Sequence, residues 1–282
     1  MEPDEMKEWG VARVDRNVVY AMYSGLALLL DVYVPEQPNG YGAIHISGSG
    51  WSAPLGPDAR PLKESGHVRI EAWPLAKAGY TMFTINHRAA PRFRYPDQVL
   101  DCRRAVRWIR ANAAGYGIDP GRIGAIGGSS AAQLVTMLAY QDGDGDPHAP
   151  GKIDRVSAKV QCVIARAGGY SYIGSGRPGI HPLLGHPVPT EDDGSEEARR
   201  AREASPVTYV SAGAPPTLLT HGTEDGIERS EQLRDALAAV GVPVKLVPVE
   251  GAGHGPGFPG LKIDIAEIQA EYVAWFDTHL CA

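Results

Sequence analysis

The strongest catalytic signature in the sequence is a serine between a predicted strand and a predicted helix. An apolar run ends at Gly127 and Gly128, Ser129 follows, and a helical pattern starts at Ser130. Small residues on both sides are typical of a nucleophile elbow, because this tight turn presses the backbone against its neighbours. The serine would then lie at a helix N-terminus, where free N–H groups and the helix dipole stabilise an anion. The alternative is a helix N-capped by Ser129 after a glycine-rich turn.

A serine hydroxyl is a weak nucleophile, so it needs a histidine base and a carboxylate that orients the base. Asp225 follows one predicted strand, and His254 lies in a glycine-lined turn after another. Ligands of open α/β sheets bind at the carboxyl ends of the strands. We therefore predict Ser129 as nucleophile, His254 as base and Asp225 as the orienting acid.

Two neighbouring carboxylates, Glu224 and Glu228, are alternative acids, because a shift of one residue changes which side chain points inward. His221 belongs to the same turn as Asp225. We expect it to make a structural hydrogen bond rather than to act as the base.

Acyl transfer also needs N–H donors for the oxygen that becomes negative in the transition state. The amide of Ser130, directly after the nucleophile, is one predicted donor. The loop after the predicted strand Gly42–Ile46 supplies two more, the amides of Ser49 and Gly50, because glycines let the backbone turn towards a substrate. The alternative is a plain Gly/Ser turn.

Three aromatic residues are candidates for the substrate-binding wall: Trp51, at the end of that loop, Tyr170 and Tyr172. Core packing explains each of them equally well. Both tyrosines belong to residues 166–204, a segment rich in glycine, proline and charge that has no convincing strand. A loop of this length inside a compact domain is often functional, so we predict this segment as a candidate lid. The alternative is a solvated surface excursion.

The remaining chain alternates between short apolar runs and segments of helical period. The predicted strands are Val18–Tyr23, Leu28–Val34, Gly42–Ile46, Thr81–Ile85, Arg122–Ile126, Ala158–Ile164, Thr217–Thr220 and Val244–Val249. The predicted helices are His67–Lys77, Gln98–Ala114, Ser130–Tyr140, Glu228–Ala239 and Asp264–Leu280. This alternation predicts an α/β fold with a mostly parallel eight-stranded sheet flanked by helices.

Composition limits the function classes. The 282 residues, predicted as one domain over 1–282, carry 27 Lys+Arg against 33 Asp+Glu, a net charge of -6 that argues against a nucleic-acid partner. The three cysteines form neither a CxxC pair nor a zinc-like cluster, so no metal site is expected. No apolar stretch approaches the roughly 20 residues of a membrane span. The charged N-terminus does not resemble a signal peptide, so a cytoplasmic location is expected unless a leader has been removed.

The ordered motifs resemble the α/β-hydrolase superfamily, specifically its bifunctional feruloyl/acetyl-xylan esterases and hormone-sensitive-lipase-like enzymes. Besides the elbow and the turns of Asp225 and His254, the resemblance rests on Leu30-Asp-Val-Tyr-Val-Pro35, Asn86-His-Arg-Ala-Ala-Pro91, Val106-Arg-Trp-Ile-Arg110, Tyr116-Gly-Ile-Asp-Pro120 and Ala214-Pro-Pro-Thr-Leu218. It implies a serine carboxylesterase that acts on small short-chain or aryl esters, acetyl or hydroxycinnamoyl esters among them. It also implies no cofactor.

The chain departs from the group's motifs in three places. Ser47-Gly-Ser-Gly-Trp51 replaces H-G-G-G-W, Ala131-Ala132 replaces Gly-Gly after the elbow, and Gly226 replaces the frequent proline after the acid. Two other functions use the same constellation: an arylformamidase-like amidase or peptidase, and a binding protein of hydrolase fold that has lost turnover.

Overall fold

The structure is a computed structural model that describes residues 1–174, 178–255 and 257–281. Its strands are β1 (Val11–Tyr23), β2 (Leu26–Pro35), β3 (Gly42–Ile46), β4 (Thr81–Ile85), β5 (Ile123–Gly128), β6 (Cys162–Arg166), β7 (Thr217–Gly222) and β8 (Val244–Val249). Its α-helices are α1 (Pro3–Glu8), α2 (Trp73–Lys77), α3 (Asp97–Asn112), α4 (Ser130–Tyr140), α5 (Glu196–Glu203), α6 (Glu228–Ala239) and α7 (Ile265–His279). A π-helical turn, Val68–Ala72, leads into α2.

The strands form one sheet in the order β1-β2-β4-β3-β5-β6-β7-β8. β1, β2 and β4 pair antiparallel, and every pair from β4 through β3 to β8 is parallel. The prediction of a mostly parallel eight-stranded α/β-hydrolase sheet is confirmed. β3 lies between β4 and β5, so the chain continues from β3 to the strand on one side and then crosses to the strand on the other side. That reversal opens a crevice at the carboxyl ends of β3 and β5, where open α/β sheets bind their ligands.

Each face of the sheet carries its own apolar core, because successive strand residues point to opposite faces. In β3, Ile44 belongs to the core that includes residues of α3, α4 and α6, whereas Ala43 belongs to the core that includes residues of α2 and α7. Burying both faces makes the parallel strands from β3 to β7 mostly apolar, which is why they were recognisable in the sequence. The functional residues are left to the turns at the strand ends.

Two predicted strands have wrong bounds, and one helix was missed. β1 begins at Val11 rather than at Val18. β6 is Cys162–Arg166 rather than Ala158–Ile164, and its last residue is a charged side chain that is buried by an ion pair. Helix α5 was not predicted at all. Its alanines Ala198 and Ala201 face the interior, but charged residues dominate the rest of it, so its apolar stripe is too narrow to give a clear helical period. None of the helices in the described ranges is long and apolar enough to cross a membrane.

Candidate active site

Ser129 occupies a strained turn between β5 and α4. Its backbone has φ 57° and ψ -123°, a combination that costs free energy for a residue with a side chain. The Ser129 amide donates a hydrogen bond to the carbonyl oxygen of Arg166 at 2.7 Å, which holds the turn against the end of β6. This is the geometry of a nucleophile elbow, with the hydroxyl raised above the strand ends.

The glycines before Ser129 are required by close packing. A Cβ atom at Gly127 would lie 2.9 Å from the Cβ of Ala131, and one at Gly128 would lie 2.4 Å from Oε1 of Glu71. The alanines that replace the group's Gly-Gly pair fit because glycine lies opposite each of them. Ala131 faces Gly127, and Ala132 faces Gly168, where a Cβ would come within 2.7 Å.

Three side chains from distant turns form one hydrogen-bonded series. Ser129 Oγ lies 2.8 Å from His254 Nε2, and His254 Nδ1 lies 2.7 Å from Asp225 Oδ2. An ionised carboxylate only accepts hydrogen bonds, so Nδ1 carries the proton and Nε2 accepts from the serine hydroxyl. This tautomer is the one that general-base activation of the serine needs.

The structure favours Asp225 over its two alternatives as the partner of His254. Glu224 and Glu228 are exposed, whereas the Asp225 side chain is only 12% exposed and contacts His254 directly. His221 lies on the other side of the carboxylate, with Nε2 3.2 Å from Oδ2 and Nδ1 2.7 Å from the hydroxyl of Ser230. Burial and then the nearby Arg229 lower the pKa of His221, so it is a neutral hydrogen-bond partner of Asp225.

In the loop after β3, the prediction of Ser49 as an oxyanion donor was wrong. The amide of Ser49 donates to Oγ of Ser130 at 2.9 Å, so a protein hydroxyl already occupies it. Gly50 and Ser130 line the cavity around Ser129, but Ser49 does not. Gly50 has φ +63° and Trp51 has φ 59°, so the loop turns sharply at the two residues that border the cavity.

The cavity above Ser129 has a volume of about 790 Å³. Trp51 and Tyr172 line it and contact each other edge to face, with ring centroids 5.9 Å apart. Tyr170 was a wrong prediction: it is 1% exposed and packs in the core with α4 and α6. Tyr172 instead packs with Leu183 and Leu184 of the candidate lid and with the ring of Trp51 at the cavity wall.

The candidate lid contributes about half of the cavity lining. Those residues are Ala167, Gly169, Ser171, Tyr172, Ile173, Pro178, His181 and Val188. The segment also has a small apolar core of its own, in which Leu183 and Leu184 pack against Ala201 of α5. Residues 175–177 of the predicted segment lie outside the described residues.

A buried ionic cluster lies beneath the elbow, formed by His45, His67, Glu71 and Arg166. Glu71 Oε1 accepts from Arg166 Nε and His67 Nδ1, both at 2.9 Å, and Oε2 accepts from His45 Nε2 at 3.0 Å. Arg166 Nη1 donates at 2.7 Å to the carbonyl oxygen of Gly255, the residue after the predicted base. The cluster therefore ties the elbow, the π-helical turn and the histidine loop together.

The charges in the cluster follow from burial and partners. Burial alone raises the pKa of a carboxyl group, but His67, Arg166 and the hydrogen bond from His45 outweigh it and hold the pKa of Glu71 well below its ordinary value. Burial lowers the pKa of His45 despite the carboxylate beside it. The sequence analysis missed this cluster, and its local signals were a histidine inside an apolar strand and an arginine at the end of another.

Comparison with known proteins agrees with this geometry. The BD-FAE family model matches residues 30–237 of the chain. The chain belongs to the BD-FAE family. This confirms the resemblance to esterase-type α/β-hydrolases that the motifs indicated.

Two Mycobacterium tuberculosis proteins are among the relatives of this BD-FAE chain. One is named probable carboxylic ester hydrolase LipM and is 31% identical over 177 residues, which cover 60% of this chain and 40% of the relative. The other is named esterase LipQ and is 31% identical over 180 residues, 61% of this chain and 42% of the relative. The matched part thus spans less than half the length of these relatives.

Solved structures show the same fold over nearly the whole chain. A truncated carbohydrate esterase from gut microbiota superposes with a TM-score of 0.78 at 24% identity, covering 98% of this chain and 99% of that one. An acetyl ester-xyloside bifunctional hydrolase from Caldicellulosiruptor lactoaceticus gives 0.74 at 22% identity, with 95% and 97% covered. At these identities the likeness concerns the fold.

Proposed function

We propose that this chain is a serine carboxylesterase that hydrolyses short-chain or aryl esters, acetyl or hydroxycinnamoyl esters among them. The observation that carries the proposal is the continuous hydrogen-bonded series from Ser129 Oγ through His254 to Asp225. Two relatives named as ester hydrolases support it, as does a cavity that opens directly above the serine.

In this mechanism Ser129 Oγ attacks the ester carbonyl carbon while His254 Nε2 takes the hydroxyl proton. The tetrahedral oxyanion is met by the amides of Ser130 and Gly50, aided by the dipole of α4. Collapse breaks the ester C–O bond, and His254 passes its proton to the leaving alcohol. Water then attacks the acyl-enzyme by the same route and releases the acid, while Asp225 keeps the imidazole in its working tautomer.

The direct test combines covalent labelling with a substrate panel. A fluorophosphonate probe should label Ser129, identified by peptide mass spectrometry, because labelling requires an activated serine. Aryl acetates and feruloyl esters should be hydrolysed faster than formylkynurenine or dipeptides. Faster cleavage of the formamide or peptide bond would reassign the chain to the amidases. If the chain shows neither labelling nor turnover, it is instead a binding protein of hydrolase fold.

We further propose that the candidate lid covers the acyl or alcohol group of the bound ester. Its Tyr172 and His181 rings contact Trp51, at centroid distances of 5.9 Å and 4.7 Å. Trp51 is in turn fixed by a 3.0 Å hydrogen bond from Nε1 to Oε1 of Gln133. A planar acyl group fits against such a wall, because aromatic rings favour offset or edge-to-face contacts.

Replacing Gly48 by alanine should lower kcat by about 10²-fold, the usual loss when an oxyanion donor is displaced. The new Cβ would lie 2.6 Å from the carbonyl oxygen of Gly128 and 2.9 Å from the His67 ring, so the loop that carries Gly50 must move away from the elbow. Steady-state rates on an aryl acetate measure this. Gly56→Ala is the matched control, because its Cβ would meet nothing within 4 Å. Equal rates for the two variants would contradict the predicted role of the loop.

A further inference from the structure

The charge of the cavity is unbalanced. Its described lining contains Arg229, which extends from α6, but no aspartate or glutamate. Gln232, one helical turn further along α6, lines the cavity as well. Much of the remaining lining is apolar, with Trp51, Ile173 and Val188 as its larger members. A ligand in this cavity therefore meets apolar surface together with one fixed cation.

The guanidinium of Arg229 is held in place by the turn that precedes its helix. Nε donates to the carbonyl oxygen of Gly226 at 3.0 Å, and Nη2 donates to the carbonyl oxygen of Asp225. Within the described residues, the hydrogen bonds of Arg229 use Nε and Nη2, which leaves the Nη1 donors to a ligand. The side chain is 42% exposed. An arginine anchored in this way loses little conformational freedom when it binds an anion.

The carboxylate of Asp225 offsets part of this charge, but it contacts the guanidinium only at Nη2. Its Oδ1 lies 3.4 Å from Nη2 of Arg229, but the Asp225 side chain is mostly buried and is not part of the cavity lining. Its other oxygen, Oδ2, contacts His254 and His221. An anion that enters the cavity therefore approaches the guanidinium and not the carboxylate.

We propose that Arg229 is a specificity-determining residue that favours esters carrying a carboxylate group near the scissile bond. The inference rests on the proposed function and adds the charge of the preferred substrate to it. Carboxylate and guanidinium are matched in geometry and form charge-assisted hydrogen bonds. Because the guanidinium is partly exposed to solvent, the expected preference is modest, about tenfold in kcat/KM.

The test uses pairs of esters with the same scissile bond, in which one member carries a carboxylate where the other carries a small alkyl group. Monoethyl succinate and ethyl butyrate place the charge on the acyl side, whereas acetoxyacetate and propyl acetate place it on the alcohol side. The measured quantity is the ratio of kcat/KM between the charged and the neutral member of each pair. The ratio cancels any change in rate that both members share, such as the change that a displaced Asp225 carboxylate would cause.

In Arg229→Met we expect the ratio for at least one pair to fall about tenfold. In Arg229→Lys the same ratio should recover in part. High salt should lower the wild-type ratio and leave the Arg229→Met ratio unchanged. Arg234→Met is the matched control, because Arg234 lies on the same helix, is also partly exposed, pairs with Asp235 and does not line the cavity. Its ratios should equal those of the wild type.

Two outcomes separate the failure of this inference from the failure of the proposed function. If Arg229→Met slows both members of each pair equally, Arg229 only positions Asp225 and the inference is wrong, although the esterase assignment stands. If the wild type hydrolyses none of the four esters, the proposed function itself fails. Should Arg229→Met not fold, the salt dependence of the wild-type ratios and the Arg229→Lys variant decide the question.

Discussion

Ser129→Ala is expected to reduce ester turnover by roughly 10⁴- to 10⁶-fold, the range seen when the nucleophile of such a series is removed. The variant loses the atom that we propose forms the acyl-enzyme, while the amides of Ser130 and Gly50 and the cavity remain. Residual activity then reflects attack by water beside the oxyanion donors. Measuring kcat on para-nitrophenyl acetate, together with loss of fluorophosphonate labelling, checks this expectation.

The same substitution should leave the fold intact. The Ser129 hydroxyl bonds to a half-exposed histidine, and the backbone hydrogen bond from its amide to Arg166 does not depend on the side chain. The thermal midpoint should therefore match that of the wild type. Ser171→Ala is a suitable control: Ser171 lines the same cavity, but its Oγ bonds to the carbonyl oxygen of Ile173. Near-normal turnover by Ser129→Ala would refute the assignment of the nucleophile.

Glu71→Gln is expected to destabilise the protein by about 3–5 kcal/mol, because it leaves the charge of Arg166 buried without its partner. Arg166 and Glu71 are 1% and 0% exposed, so water cannot replace the lost carboxylate. For a chain of this size the thermal midpoint should fall by about 10 °C. Thermal unfolding followed by circular dichroism measures this, and urea unfolding gives the free energy.

An exposed ion pair provides the control for this substitution. Glu196 pairs with Arg199 on the surface of α5, with both side chains about half exposed, and such pairs contribute little to stability. Glu196→Gln should therefore leave the midpoint unchanged within error. If Glu71→Gln also left the thermal midpoint unchanged, the buried ionic cluster would contribute little to the free energy of unfolding.

The pH dependence of stability gives an independent check on Glu71. Its pKa is depressed in the folded state, so its contribution is complete above the ordinary carboxyl pKa of 4.5 and is lost as the pH falls through the folded-state pKa. In acid the wild type should therefore lose stability more steeply than Glu71→Gln, and the two unfolding free energies should converge. Parallel curves would contradict the depressed pKa.

Some features of the site were readable because they depend on residues close together in the chain. Glycines next to Ser129 and glycines around His254 mark tight turns that hardly any other residue tolerates, and an apolar run before each turn marks a buried strand. Because parallel strands place their carboxyl ends at one edge of the sheet, these turns were expected to meet. The structure brings Ser129, His254 and Asp225 within hydrogen-bonding distance there.

The sequence by itself determined the fold class, the order of its strands along the chain and the three residues predicted for catalysis, because periodicity and turn residues act over a few neighbours. Only the tertiary structure decided that Ser49 donates to Ser130, that Tyr170 is buried while Tyr172 lines the cavity, and that Glu71 pairs with Arg166. These outcomes depend on the direction of side chains and on contacts between segments up to 95 residues apart. Packing fixes such contacts, and no local pattern encodes them.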